Sequence, residues 1–164
     1  MEEDEMQGRC TCGEIRFRLK AKPMFVHCCH CTWCQRETGS AFAINAMIEA
    51  EEVELESGVP EEVLTPSESG RGQLVSRCPK CRVAVWSVYS GAGPAIRFVR
   101  VGTLEDPGAL TPDVHIFTES KLPWVVLPQD ARAFPQYYRL EEEWPVESRE
   151  RRKAAKARYA ARDR

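Results

Sequence analysis

No apolar run in this 164-residue chain approaches the length, roughly 20 residues, that a membrane-spanning helix needs. The opening Met1-Glu-Glu-Asp-Glu is acidic with no apolar stretch behind it, which argues against a secretory signal. The expected location is therefore a reducing one, cytoplasmic or alternatively nuclear, where closely spaced cysteines more often bind metal than form disulfides. No internal repeat stands out. Histidine is scarce, and two of the three histidines lie beside four of the eight cysteines. The remaining composition, 43% apolar and 29% charged, is that of an ordinary soluble protein, and the length suits one domain with a real core.

The chemistry concentrates in Val26 to Gly39, V-H-C-C-H-C-T-W-C-Q-R-E-T-G. Alternate residues of an extended segment share a face, so Cys29 and Cys31 point one way and Cys28 and His30 the other. Cys34 follows Cys31 at C-x-x-C spacing, where a tight turn returns its sulfur to the same point. Cys29, Cys31 and Cys34 can thus hold one soft ion from three sides. A zinc ion with three protein ligands keeps one position for water or substrate, and that open position separates a reactive zinc from a structural one. The plain alternative is a knuckle closed by Cys28, His30 or a distant residue. Disulfides fit poorly, because adjacent and next-but-one cysteines do not meet disulfide geometry. An iron–sulfur reading of Cys28-x-x-Cys31-x-x-Cys34 lacks its fourth cysteine and proline, since Thr38 and Gly39 stand there.

A second constellation pairs Cys10-Thr-Cys12 with Cys78-Pro-Lys-Cys81. Neither clip can fill a tetrahedral site alone, and together they make a closed four-sulfur one. Such a site would tie the first strand to the middle of a sheet and contribute on the order of 10 kcal/mol to folding. Arg82 departs from expectation, because glycine suits the positive φ that often follows a knuckle.

Along the chain, residues 1–7 read as a disordered acidic leader, 8–140 as a zinc-binding β domain and 141–164 as a basic helical or disordered tail. Ile15, Phe17 and Leu19 alternate with Arg16, Arg18 and Lys20, the period of a half-buried strand. Thr32 to Thr38 reads as a short helix capped by Gly39. Strands are expected over 41–48, 53–56, 63–65, 73–77, 82–89, 96–101, 114–117 and 124–127, separated by Pro, Ser and Gly clusters. Val146 to Arg164 has good helix propensity, but its apolar positions are mostly alanine, so a solvated helix or frayed tail is expected. From Glu147 onward it carries eight basic residues against three acidic ones.

The C-x-C-G near the start, C-H-C-x-x-C followed by G-S-A-F, and the later C-P-x-C resemble the glutathione-dependent formaldehyde-activating enzyme family, which also includes centromere protein V. Gly102-Thr-Leu104 and His115-Ile-Phe-Thr-Glu-Ser-Lys-Leu-Pro-Trp124 extend the likeness to roughly Gly8 to Tyr138. Val83-Ala-Val-Trp-Ser87 and Arg97-Phe-Val-Arg-Val-Gly-Thr103 resemble the branch common in fungi. The resemblance implies a mainly β, Mss4-like β-tent fold with zinc knuckles and two zinc ions. Cys10, Cys12, Cys78 and Cys81 would take the structural zinc, and Cys29, Cys31 and Cys34 the catalytic one. Cys28 lies outside the family pattern and offers a competing set with Cys31 and Cys34. The implied activity is a carbon–sulfur lyase reaction: glutathione and formaldehyde condense to S-hydroxymethylglutathione, or the adduct is cleaved.

Other residues are open. His30 faces away from the metal as a packed or supporting histidine, and His27 is a stray ligand or an exposed side chain. His115 is structural or lines the pocket. Lys121 and Trp124 border the substrate site or are a solvated lysine and a core tryptophan. Two competing functions remain beside the formaldehyde reaction. One is the same family chemistry on another thiol or aldehyde. The other is a non-enzymatic zinc module whose basic tail binds nucleic acid or another acidic partner, although that tail has no interleaved aromatic except Tyr159 and such tails are commonly just solvated.

Overall fold

The structure, a computed structural model, describes residues 5–162. Ten strands form two sheets: β1 (Met6–Arg9), β2 (Arg16–Leu19), β3 (Phe25–Cys29), β4 (Ala43–Glu49), β5 (Val53–Ser57), β6 (Glu61–Thr65), β7 (Gln73–Arg77), β8 (Ala84–Tyr89), β9 (Ile96–Arg100) and β10 (Val114–Ile116). The helices are α1 (Thr32–Thr38), α2 (Leu140–Glu143) and α3 (Val146–Arg162). β1, β2 and β5 make the small sheet, in that order. The large sheet runs β10-β3-β4-β9-β8-β7-β6. Its pairings are antiparallel except β10 on β3, which is parallel. The chain is mainly β with a C-terminal helix, as expected, and no helix among the described residues is long and apolar enough to cross a membrane.

Patterning explains the layers. In β2 the alternating Phe17 and Leu19 are fully buried, while Arg16 is exposed. With Ile15, Ile48, Val85, Trp86 and Val99 they fill one core, which encloses Cys10 and Cys78. All five residues of β3 are buried, so this strand packs on both faces. Its second face joins Phe25 to Met47, Ile96, Phe98, Ile116, Tyr138 and Trp144 in a separate core that contains Cys29, Cys31 and Cys34.

Three expectations change. Met6 and Gln7, placed in the leader, pair with Leu19 and Arg18 in the small sheet. Backbone pairing next to Gly8, where any Cβ would run into the Phe17 ring, and packing of Met6 against the core override the acidic composition just ahead of them. Residues 1–4 of that leader lie outside the described residues. Residues 124–127 form no strand: Trp124 is 72% exposed and Val126 89% exposed, without a pairing partner. Finally, α3 is docked rather than solvated. Ala155 and Ser148 are buried, the Ser148 hydroxyl donates to the Met24 carbonyl at 2.7 Å, and Trp144 stacks on Phe25 at 5.1 Å. Arg151 grips Glu49 with two bonds of 2.7 and 2.8 Å, while Arg158 and Arg162 both reach Glu51. Helix and body thus meet through three arginines, the Ser148 hydroxyl and buried Ala155, with Trp144 packed just ahead of the helix.

Candidate metal centre

The chain reverses direction between β3 and β4, and the sulfurs collect there. Cys29 ends β3, Cys31 caps α1, and Cys34 lies in its first turn. The Cys34 N–H donates to Cys31 Sγ at 3.3 Å, and Gly39 closes the helix at φ 64°, the left-handed cap expected there. The three sulfurs lie within 4.8 Å of one another and all are buried. No fourth Cys, His, Asp or Glu joins this group among the described residues. Cys28 instead turns to the opposite face of β3, with His30 and His115. Strand alternation therefore removes the competing set of Cys28, Cys31 and Cys34.

Protonation follows from this crowding. Hydrogen bonds from Cys29 and Cys34, with the backbone N–H groups of Cys34 and Trp33, lower Cys31 to about 3. Hydrogen bonding to Cys31 and Cys34, then burial, drives Cys29 far upward. Cys34 gains from its bond with Cys29, but the Cys31 thiolate and burial push it up to about 12. One thiolate is thus comfortable and three are not, unless a cation joins them, which is the chemistry of a soft dication site.

The other sulfur quartet meets the same test. Cys10, Cys12, Cys78 and Cys81 cluster within 4.8 Å, with Cys12 Sγ 3.6 Å from both Cys10 Sγ and Cys78 Sγ. A tetrahedral zinc with 2.3 Å bonds needs sulfurs about 3.8 Å apart. N–H groups of Ile15 and Cys81 point at Cys10 and Cys78 at 3.3 and 3.5 Å. Backbone hydrogen bonds at Cys12 and Val83 lower Cys81 to about 6. Arg82 takes φ 66°, so the turn after the knuckle is kept and the arginine carries its strain.

A cavity of about 430 Å³ opens over the Cys29–Cys31–Cys34 group. Its wall is chiefly apolar and aromatic, with Met47, Ile96 and Phe98 from the sheet and Phe117, Tyr137 and Trp144 from the last third of the chain. Phe117 holds φ 54° in the left-handed region, uncommon for an aromatic residue, and places its ring in this wall. Polar groups at the cavity include Asn45, Glu68, Arg71 and, from α3, Arg152.

None of the three histidines joins the Cys29–Cys31–Cys34 group. His27 lines the cavity but is neither exposed nor grouped with the sulfurs: it bonds the Tyr138 hydroxyl, which accepts from Trp144 Nε1 at 2.7 Å. Burial lowers His27 to about 3, so its imidazole is neutral. His30 is fully buried; burial, then the charges of His115 and Lys121, lower it to about 4. His115 lies beside it, away from the cavity. Lys121 and Trp124 also miss the cavity wall. The Lys121 ammonium donates to the Val125 carbonyl at 2.6 Å, and Trp124 faces solvent. The segment they belong to supports the Cys29–Cys34 loop instead: the Ser120 hydroxyl donates to the His30 carbonyl at 3.0 Å, and Gln35 Nε2 bridges the His30 and Ser120 carbonyls.

Arg100 went unassigned on sequence. It is buried, bonds Asn45 Oδ1, and reaches Glu37 at 3.4 Å, while Glu37 also pairs with Arg77. Its positive charge favours the Cys34 thiolate. The signal was its position on the Ile96–Phe98 face of β9, where a charged residue needs a buried partner.

Among known proteins, the family model described as glutathione-dependent formaldehyde-activating enzyme matches residues 5–120. A Halomonas elongata protein whose name proposes it as a glutathione-dependent formaldehyde-activating enzyme is 25% identical over 125 residues, 73% of this chain and 79% of that one. A crystal structure of a Rhodobacter sphaeroides protein, a structural-genomics target, aligns with a TM-score of 0.47 at 20% identity, over 65% of this chain and 92% of that chain.

Proposed function

Because the chain belongs to the glutathione-dependent formaldehyde-activating enzyme family, we propose that it is a zinc-dependent carbon–sulfur lyase-type enzyme that joins a thiol to an aldehyde or releases it. Glutathione and formaldehyde are the substrates that the family and the Halomonas elongata relative support. In the forward direction the thiol sulfur attacks the carbonyl carbon, a C–S bond forms, and the thiol proton ends on the former carbonyl oxygen.

The observation that carries this reading is the three-sulfur group in the wall of a cavity, with no fourth Cys, His, Asp or Glu among the described residues. In this reading Cys29, Cys31 and Cys34 hold the catalytic zinc, and Cys10, Cys12, Cys78 and Cys81 hold the structural one. Zinc at the open site would supply a position at which a thiol is held as its thiolate, a role that three sulfur ligands favour over activating the aldehyde. The chain's own residues do the rest. Arg100 offsets the negative charge of the sulfurs, α1 sets their spacing, and the apolar wall keeps water from the reacting pair. Arg71 and Arg152 supply the guanidinium groups that the carboxylates of a glutathione-like thiol require.

The test is metal analysis joined to glutathione titration of the cobalt-substituted protein, with adduct formation followed by NMR. Two ions per chain in the all-sulfur sites, a spectrum that shifts on adding thiol, and adduct formation above the spontaneous rate are expected. A spectrum indifferent to thiol would overturn the open-site role. The apolar wall favours one variant of this reading, in which the thiol is retained and the aldehyde carries an apolar group. A greater kcat/KM for benzaldehyde-type substrates than for formaldehyde would select it.

Three arginines of the tail are paired with Glu49 and Glu51, which leaves the nucleic-acid reading less of the charge it relied on.

A further inference from the structure

We propose that Cys28, His30 and His115 form a metal site of their own, on the face of β3 turned away from the cavity, taking one zinc-class divalent ion through a sulfur and two imidazoles. Two features of the backbone converge on it. Period-two alternation puts Cys28 and His30 on the same side of the chain, opposite Cys29 and Cys31. The parallel pairing of β10 with β3 sets His115 directly against Cys28.

The donor atoms then face one another. Cys28 Sγ lies 3.6 Å from His30 Nε2, His30 Nε2 lies 3.0 Å from His115 Nδ1, and all three donors fall within 4.8 Å. For tetrahedral zinc the bond lengths require S···N edges of about 3.6 Å and N···N edges of about 3.4 Å. The first edge already fits, and the second needs the two rings to part by a few tenths of an ångström. His30 and Cys28 are buried while His115 is half-buried, so solvent can reach a fourth position from the His115 side. One sulfur and two nitrogens suit zinc, and also copper, better than calcium or magnesium. An ion here would clamp β10 onto β3. That would also hold the Thr118–Ser120 turn, whose Ser120 hydroxyl supports the Cys29–Cys34 loop.

The competing account is a chain of hydrogen bonds in which the two imidazoles share a proton and Cys28 stays a thiol. The two accounts load His30 Nδ1 differently: it is buried with no hydrogen-bond partner, and ligation through Nε2 would place the proton on it, a cost that the bonds to the ion must offset. The proposal does not depend on what the cavity binds.

The experiment is reconstitution of the reduced, chelator-stripped full chain with cadmium, read by elemental analysis and 113Cd NMR. Three ions and three resonances are expected, one shifted toward nitrogen ligation and coupled to imidazole protons. In His115→Gln that resonance should weaken in affinity at least tenfold while the two all-sulfur resonances stay, and Cys28→Ser should abolish it. Only two resonances at saturating cadmium, or a third that survives both substitutions, would overturn the proposal. If a variant does not fold, imidazole coupling in the wild-type spectrum still decides.

Discussion

Replacing Arg151 with alanine tests whether α3 is part of the folded body. Arg151 makes two bonds to the Glu49 carboxylate and a third, of 2.9 Å, to the Lys22 carbonyl. The Glu49 side chain is 5% exposed and that of Arg151 27%. Removing one partner of a fully buried pair costs about 3–5 kcal/mol, because the other charge is stranded. The partial exposure of Arg151 lets water reach the gap, which reduces the expected loss to about 2–3 kcal/mol. At this chain length that is a fall in Tm of roughly 4–12 °C. Lys153→Ala, at an exposed position on the same helix, should change stability by less than about 0.5 kcal/mol. Adding Glu49→Gln to Arg151→Ala should recover part of the loss, since no buried carboxylate then remains. Urea melts give the free energies, and hydrogen exchange of the α3 amides reports docking directly. If Arg151→Ala matches Lys153→Ala and the α3 amides exchange freely in the parent chain, the helix is solvated and the reasoning fails.

Serine in place of Cys31 should remove the ion from the cavity and abolish activity with little change in melting, whereas Cys81→Ser should cost the fold most of its stability; metal counts and melts on the two variants separate the roles. Arg82→Gly should stabilise the protein by about 0.5–1 kcal/mol in denaturant melts, since relief of the left-handed backbone outweighs an exposed pair with Glu61. Arg152→Ala should raise KM for glutathione several-fold with kcat nearly unchanged, the mark of lost uniform binding, and steady-state kinetics will show it.

How much of this could be read from the chain depended on distance. The split of Cys28 and His30 from Cys29 and Cys31 follows from a two-residue period, and α1 with its Gly39 cap follows from neighbours in sequence. Both were legible for that reason. The alternation of β9 carries a signal for Arg100, but not for its company, because Asn45 and Glu37 belong to other elements. Docking of α3 was hidden for the same cause: Glu49 and Glu51 lie about a hundred residues away, and alanine content says nothing of them. Residues 124–127 misled in the other direction. Val125, Val126 and Leu127 have strand composition, but no neighbouring strand offers them a partner.

The division of labour along the chain has an evolutionary consequence. Both sulfur sets fall within residues 5–120, the stretch shared with the family, while Tyr137, Leu140, Trp144 and Arg152 of the cavity wall lie beyond it. A lineage could therefore edit its last few dozen residues and admit a different guest, with the inherited cysteine framework left untouched.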